Sequence, residues 1–216
     1  RFFKERLMEL DTDSDVWKYI EMRGLTKDTL ETFKIGFSPD EWGSFKDYLE
    51  SIKAPFLPAT QLGLIKQKKD GKDYFDIFRN RLMFPILSAK GEVVGFGGRS
   101  LGDEQPKYLN SPESPIFHKG KLLYGLNETA KFIRTEDQVI VVEGYMDLVM
   151  LYQNGFKNVV ATLGTALTED HARILKRYTN NVVVLFDSDS AGIQAQERSL
   201  PLLLAQGLLP KGISLT

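Results

Sequence analysis

The chain has 216 residues, 42% of them apolar and none of them cysteine, with a formal net charge of −1. That length carries one large domain or two small ones, and the lack of cysteine excludes a disulfide framework and any cysteine-based zinc site within these residues. No apolar run approaches the ~18 residues of a membrane-spanning helix, and the opening Arg1-Phe2-Phe3-Lys4-Glu5 lacks a signal-peptide pattern, so a cytoplasmic protein with no membrane partner is expected.

The small net charge hides a polarity along the chain. Residues 1–60 hold 9 basic and 12 acidic side chains, residues 61–134 hold 13 and 8, and residues 135–216 hold 6 and 9. A basic middle beside an acidic end suits a polyanion that must both bind and react. A lysine-rich solvated face is the plainer alternative.

Residues 1–60 read as small and helical. Asp15 to Arg23 carries apolar residues at Val16, Tyr19, Ile20 and Met22 and stops at Gly24. Thr26 is a candidate cap for a second helix with Leu30 and Phe33 inward. Phe37-Ser38-Pro39-Asp40 breaks that helix, Trp42 to Ile52 forms a third, and Pro55 and Pro58 close the region. Nothing here carries obvious chemistry, and a helical support is expected.

From residue 61 the pattern changes. Asp70-Gly71 between two strand-like runs signals a hairpin. Leu82-Met83-Phe84-Pro85-Ile86-Leu87 reads as a buried strand whose late proline suggests an edge or a strand end. Lys90-Gly91 is a turn, and Glu92 to Phe96 another strand. Gly95-Phe96-Gly97-Gly98-Arg99 fails as a dinucleotide fingerprint because its third glycine is misplaced and no helix opens after it; its glycines are expected to let the backbone turn sharply. Arg79, Arg81 and Arg99 fall at strand ends or turns with few acids nearby, which favours phosphate contact over ordinary ion pairing. Pro106-Lys107-Tyr108-Leu109-Asn110-Ser111-Pro112-Glu113 reads as a stiff extended loop. It presents a charge, a ring and an amide in succession, a mix suited to a nucleotide. His118 reads as a structural hydrogen-bonder and His171 as a surface residue of a helix.

Residues 135–216 alternate strand and helix: Val139–Glu143, Asp147–Asn154, Asn158–Thr162, Thr168–Tyr178, Val182–Asp187 and Ala191–Gln206, with residues 213–216 beginning a fourth strand. Short connections predict right-handed crossovers and a doubly wound, mostly parallel sheet. Gly155 and Gly207 fall where helices end. Two apolar runs end in carboxylates: Val139-Ile140-Val141-Val142 before Glu143, and Val182-Val183-Val184-Leu185-Phe186 before Asp187-Ser188-Asp189. Ligands of open parallel sheets sit beyond the carboxyl ends of strands, so Glu143, Asp187 and Asp189 are expected at one rim. Clustered acids repel unless a cation lies between them, and hard oxygen donors without Cys or His suggest Mg²⁺ or Mn²⁺. An EF-hand is excluded, because Ala191 and Arg198 stand where it needs oxygen ligands. A helix cap explains Asp189 or Ser190 but not Asp187 or Glu143.

Glu143-Gly144-Tyr145-Met146-Asp147 followed by Asp187-x-Asp189 resembles the TOPRIM domain of topoisomerases and primases. Arg79-Asn80-Arg81-Leu82-Met83-Phe84-Pro85-Ile86, Gly95-Phe96-Gly97-Gly98-Arg99, Pro106 to Glu113 and Gly164-Thr165-Ala166-Leu167-Thr168 resemble, in order, the RNA polymerase core of bacterial replicative primases. The resemblance covers nearly the whole chain from about Trp17. It implies a mixed α+β, basic N-terminal subdomain over residues 1–134, then a Rossmann-like TOPRIM subdomain over residues 135–216. It places the family's zinc domain, third acidic motif and helical subdomain outside these residues, so no zinc is expected. The implied activity is metal-dependent synthesis of RNA primers from NTPs on single-stranded DNA, with two or more Mg²⁺ or Mn²⁺ ions. Glu143, Asp187 and Asp189 would be ligands and Asp147 a weaker catalytic candidate. Lys107, Tyr108, Asn110 and Lys119 would hold nucleotide, and Arg79, Arg81, Arg99 and Lys107 would hold DNA. Replicative helicase and single-strand-binding protein are implied partners through regions outside this stretch. Another TOPRIM activity, a nuclease or topoisomerase, and a non-catalytic nucleic-acid or nucleotide-binding module are the alternatives.

Overall fold

Two aromatic residues at the start of the chain anchor its first half. The structure is a computed structural model that describes residues 1–213, and it folds as two units. The first holds residues 1–86 and 93–117, the second residues 87–92 and 118 onward. In the first unit, helices α1 (Phe2–Met8), α2 (Asp15–Met22), α3 (Lys27–Thr32), α4 (Ser44–Ser51) and α5 (Phe56–Gln61) surround strands β1 (Gly36–Ser38), β2 (Ile65–Gln67), β3 (Tyr74–Asp76), β4 (Arg81–Leu87), β5 (Val93–Ser100) and β6 (Tyr108–Asn110). Phe2 and Phe3 are buried with Leu49, Phe78 and Met83, and Phe3 stacks on Phe45 at 5.4 Å. Thr26 caps α3 through the N–H of Thr29, as its residue type predicts.

The main sheet of this unit runs β1-β4-β5-β6, and β2 and β3 form the expected hairpin across Asp70-Gly71. Several local expectations are corrected. The Phe37 break is strand β1, which pairs with β4. Pro58 lies inside α5, near its start, where a missing N–H costs nothing. β4 is buried along its whole length between two neighbours, so Pro85 does not mark a sheet edge. It is tolerated because β1 begins at Gly36, opposite Met83, leaving Pro85 beyond that pairing. Gly95 and Gly98 lie within β5 and make no sharp turn. A Cβ at Gly98 would stand 2.6 Å from the Phe78 ring, and one at Gly95 3.2 Å from the Phe117 ring. These glycines give aromatic side chains room. The segment expected as a loop contains β6, paired antiparallel with Gly97–Arg99.

The second unit follows the predicted alternation: α6 (Leu126–Glu136), β7 (Val139–Val142), α7 (Tyr145–Gln153), β8 (Val159–Ala161), α8 (Glu169–Leu175), β9 (Asn181–Leu185), α9 (Ser190–Ala205) and β10 (Leu209–Ile213). All strands are parallel, in the order β10-β9-β7-β8. The fourth strand ends where it was expected to begin, and residues 214–216 lie outside the described residues. Gly155 and Gly207 have positive φ after α7 and α9, the helix-end role predicted for them. Val139, Val141, Val160, Val182 and Val184 are fully or almost fully buried with Leu167, Leu175 and Leu203, the two-sided burial that makes the strands continuously apolar. His171 is also fully buried, which corrects its expected surface position.

A carboxylate rim and a braced basic strand

The strand order fixes the place of the acids. β8 and β9 flank β7 on opposite sides, so the connection leaving β7 and the one leaving β9 diverge in opposite directions. Such a switch point opens a crevice beyond the carboxyl ends of the strands. Val141 pairs with Val184, and the chain reaches Glu143 and Asp187 just past those ends. One Glu143 carboxylate oxygen, Oε1, accepts a hydrogen bond from the Asp187 backbone N–H at 3.1 Å. Asp189 caps α9, its Oδ1 accepting from the Gly192 N–H at 2.8 Å. Asp147 reaches back one turn of α7, its Oδ2 accepting from the Gly144 N–H at 3.0 Å.

Gly192 is a site residue the sequence reading missed. A Cβ there would strike the Asp187 carbonyl and stand 2.9 Å from Glu143 Oε1. Only glycine lets the first turn of α9 close over the two acids. Asp147 and Asp187 also line a pocket of about 390 Å³ whose remaining wall includes Val142, Met150, Leu151 and Phe186.

Burial raises the Glu143 pKa above the ordinary carboxylate value; the bond from Asp187 N–H opposes the rise, and the charges of Asp187, Asp189 and Asp147 add to it. Among the described residues no basic side chain forms an ion pair with Glu143, Asp187 or Asp189. The described residues also include no group of three acidic or histidine side chains already closed around an ion-sized space. The carboxylates of Glu143 and Asp189 accept from backbone amides, as does that of Asp147. The donors themselves, all hard oxygens under mutual repulsion, fit Mg²⁺ or Mn²⁺.

The basic residues of the first unit divide into two kinds. Arg81 is 5% exposed, and its Nη1 donates to the carbonyls of Gly98, Pro106 and Lys107 at 3.1, 2.9 and 3.4 Å. Burial lowers its pKa. Arg99 is 7% exposed and donates to the Tyr108 hydroxyl at 2.7 Å, directly across the β5–β6 pairing. These two guanidiniums hold the 106–108 segment in place. Lys107, by contrast, is exposed, with Tyr108 and Asn110 half-buried beyond it. Arg79 donates to the Asp76 carbonyl and lies 3.8 Å over the Trp42 ring. With Asp40, Arg81, Glu104 and Gln105 they line a pocket of about 330 Å³. Lys119 belongs to the second unit, in a 3-10 turn spanning Lys119–Lys121.

The second unit is thus an open parallel α/β sheet with an acidic crevice at its switch point. Residues 2–130 match the DNA primase catalytic core, N-terminal domain, and residues 137–213 match the Toprim domain. The chain belongs to the DNA primase catalytic-core family. It is 44% identical to the DNA primase of Halalkalibacterium halodurans over 99% of its length, and 46% identical to that of Clostridium acetobutylicum over 92%. It spans 37% and 33% of those two proteins, about a third of the curated relatives it matches. A solved DnaG primase catalytic domain bound to ssDNA superposes with a TM-score of 0.88 at 38% identity, covering 100% of this chain and 70% of that one.

Proposed function

We propose that this chain is the nucleotidyl-transfer part of a primase. It acts in the synthesis of short RNA primers on single-stranded DNA by attack of a ribonucleotide 3′-OH on the α-phosphate of an incoming NTP. The single observation that carries this reading is the meeting of Glu143 and Asp187, from adjacent parallel strands, at the switch point of the sheet. Bound Mg²⁺ or Mn²⁺ would supply charge stabilisation to the attacking oxygen, the triphosphate and the departing pyrophosphate. Glu143, Asp187 and Asp189 hold the ions, and Asp147 orients the loop that carries Glu143 through its bond to Gly144 N–H.

On the first unit, Lys107 meets phosphate, while Tyr108 and Asn110 face the base or sugar. Arg79 adds a cationic plane to a DNA surface that Arg81 and Arg99 brace. Lys119 binds nucleotide phosphates. The ssDNA bound to the similar solved domain supports a single-stranded template as ligand. Contacts with a replicative helicase and a single-strand-binding protein belong to the wider primase. The test is incorporation of labelled ribonucleotides on single-stranded DNA by the full-length primase, parent against Asp187→Asn. Loss in a folded variant supports the assignment, and parental synthesis refutes it. Template cleavage without incorporation would instead identify a nuclease.

A further inference from the structure

His171 is the one buried histidine among the described residues, and neither the carboxylate rim nor the basic strand uses it. It stands at the third position of α8, where its Nδ1 accepts from the Thr168 N–H at 3.2 Å. That bond fixes the tautomer, leaving Nε2–H to donate to the carbonyls of Lys119 and Leu122, at 2.9 and 3.0 Å. The Thr168 hydroxyl donates to the Gly120 carbonyl at 2.6 Å. The head of α8 thus grips three carbonyls of the segment from Lys119 to Leu122.

A three-residue 3-10 turn is marginal by itself, and this one has no side-chain cap of its own. Its shape comes from α8. Its location is also set: Tyr124 bridges antiparallel to Ala161, the last residue of β8. Residues preceding Tyr124 therefore run on past the carboxyl end of β8. Because β8 is parallel to β7, the turn stands on the side of the sheet that carries Glu143. An apolar residue would fill the His171 position without the desolvation cost of an imidazole. What the imidazole adds is a fixed backbone for two lysines.

We propose that His171, with Thr168, is a positioning residue that sets the Lys119–Lys121 turn and thereby aims the Lys119 ammonium at the phosphates of a nucleotide on the carboxylate side of the sheet. This rests on the reading of Lys119 as a nucleotide ligand, and the test separates the two. ATP in the presence of Mg²⁺ is titrated into the whole chain by calorimetry, using the parent, Lys119→Ala, His171→Leu, His171→Gln and the Lys119→Ala/His171→Leu double variant. Loss of a charge-assisted phosphate contact weakens binding about tenfold or more. Lys119→Ala and His171→Leu should each show that loss, and the double variant should be no weaker than Lys119→Ala alone. His171→Gln, whose amide N–H can replace Nε2–H, should stay within about threefold of the parent.

A residue that merely holds the fold would weaken binding further in the Lys119→Ala background, and that additivity overturns the proposal. Parental affinity in His171→Leu with weakened Lys119→Ala overturns the clamp alone. Parental affinity in Lys119→Ala overturns the reading of Lys119 and the clamp's role with it. If His171→Leu does not fold, Thr168→Ala removes the bond to Gly120 and carries the same comparisons.

Discussion

Glu143 and Asp187 are 44 residues apart in sequence and joined by one hydrogen bond, from the Asp187 backbone N–H to Glu143 Oε1. The bond holds a partly buried carboxylate beside three others that raise its pKa. Replacing that carboxylate by an amide keeps the acceptor oxygen and removes the repulsion. Glu143→Gln is therefore expected to melt slightly higher than the parent in metal-free buffer, by about 1–2 °C, while losing primer synthesis in the full-length primase. Scanning calorimetry with and without chelator checks the first half. A lower Tm in the variant would show that the rim is not under electrostatic strain.

Gly192 lets the first turn of α9 close over the acids. Gly192→Ala drives a methyl group into the Asp187 carbonyl and against Glu143. Overpacking of this kind costs about 1–3 kcal/mol, or roughly 3–10 °C in Tm for a chain of this size. Activity should fall further than stability does, because the displaced atoms belong to the proposed ion ligands Glu143 and Asp187. A melt and a primer-synthesis assay on the same variant separate the two effects.

Arg81 and Lys107 should respond in opposite ways. Arg81→Met removes the guanidinium donor from the carbonyls of Gly98, Pro106 and Lys107, the last of which keeps the Ser100 N–H at 2.8 Å, and is expected to lower stability by about 2–4 kcal/mol. Lys107→Ala removes an exposed charge and should leave stability within ~0.5 kcal/mol of the parent. Its effect should appear in single-stranded DNA affinity, with the salt dependence falling by about one unit of slope. Denaturant melts and binding at several salt concentrations read both. Equal stability in the two variants would contradict the bracing role of Arg81.

His171 gives stability a pH dependence of definite sign. Burial lowers its folded pKa below the ordinary 6.5, although the Lys119 and Leu122 carbonyls and Asp170 oppose the shift. The folded state favours neutral imidazole, so the stability it contributes is present above pH 6.5 and is lost as pH falls through the lower folded value. Between pH 7.5 and 5 the parent should therefore lose more Tm than His171→Gln loses. Identical slopes in parallel melts would refute this.

How much was legible in the sequence depends on how local the cause was. The second unit was readable because β7, β8 and β9 are short apolar runs rich in β-branched residues and largely buried, and α7, α8 and α9 end at a glycine or begin at a capping side chain; β10, an exposed Leu-Pro-Lys-Gly-Ile run, carries no such pattern. The carboxylates were readable because they follow directly on such runs. The first unit was harder. α1 and β1 are short and owe their form to contact: a Cβ on Gly36 would strike the Phe3 backbone, a constraint that spacing does not express. The glycines of β5 carried a packing signal that looks the same as a turn signal until Phe78 and Phe117 are in place. The burial of His171 is not legible, because one buried position on a short helix has no periodicity to reveal it. Arg79, Arg81 and Arg99 read as phosphate contacts, and the carbonyl and hydroxyl partners of Arg81 and Arg99 lie 9 to 26 residues away, beyond the reach of local pattern.

The most direct test of the whole account is Mn²⁺ binding to the whole chain, followed by the loss of the free-ion electron paramagnetic resonance signal as protein is added. The parent should bind Mn²⁺ saturably, with Mg²⁺ competing, and Asp187→Asn should bind at least ten times more weakly while melting within a few degrees of the parent. Equal Mn²⁺ binding by the folded Asp187→Asn variant would contradict the claim that acids from neighbouring strands form one ion site.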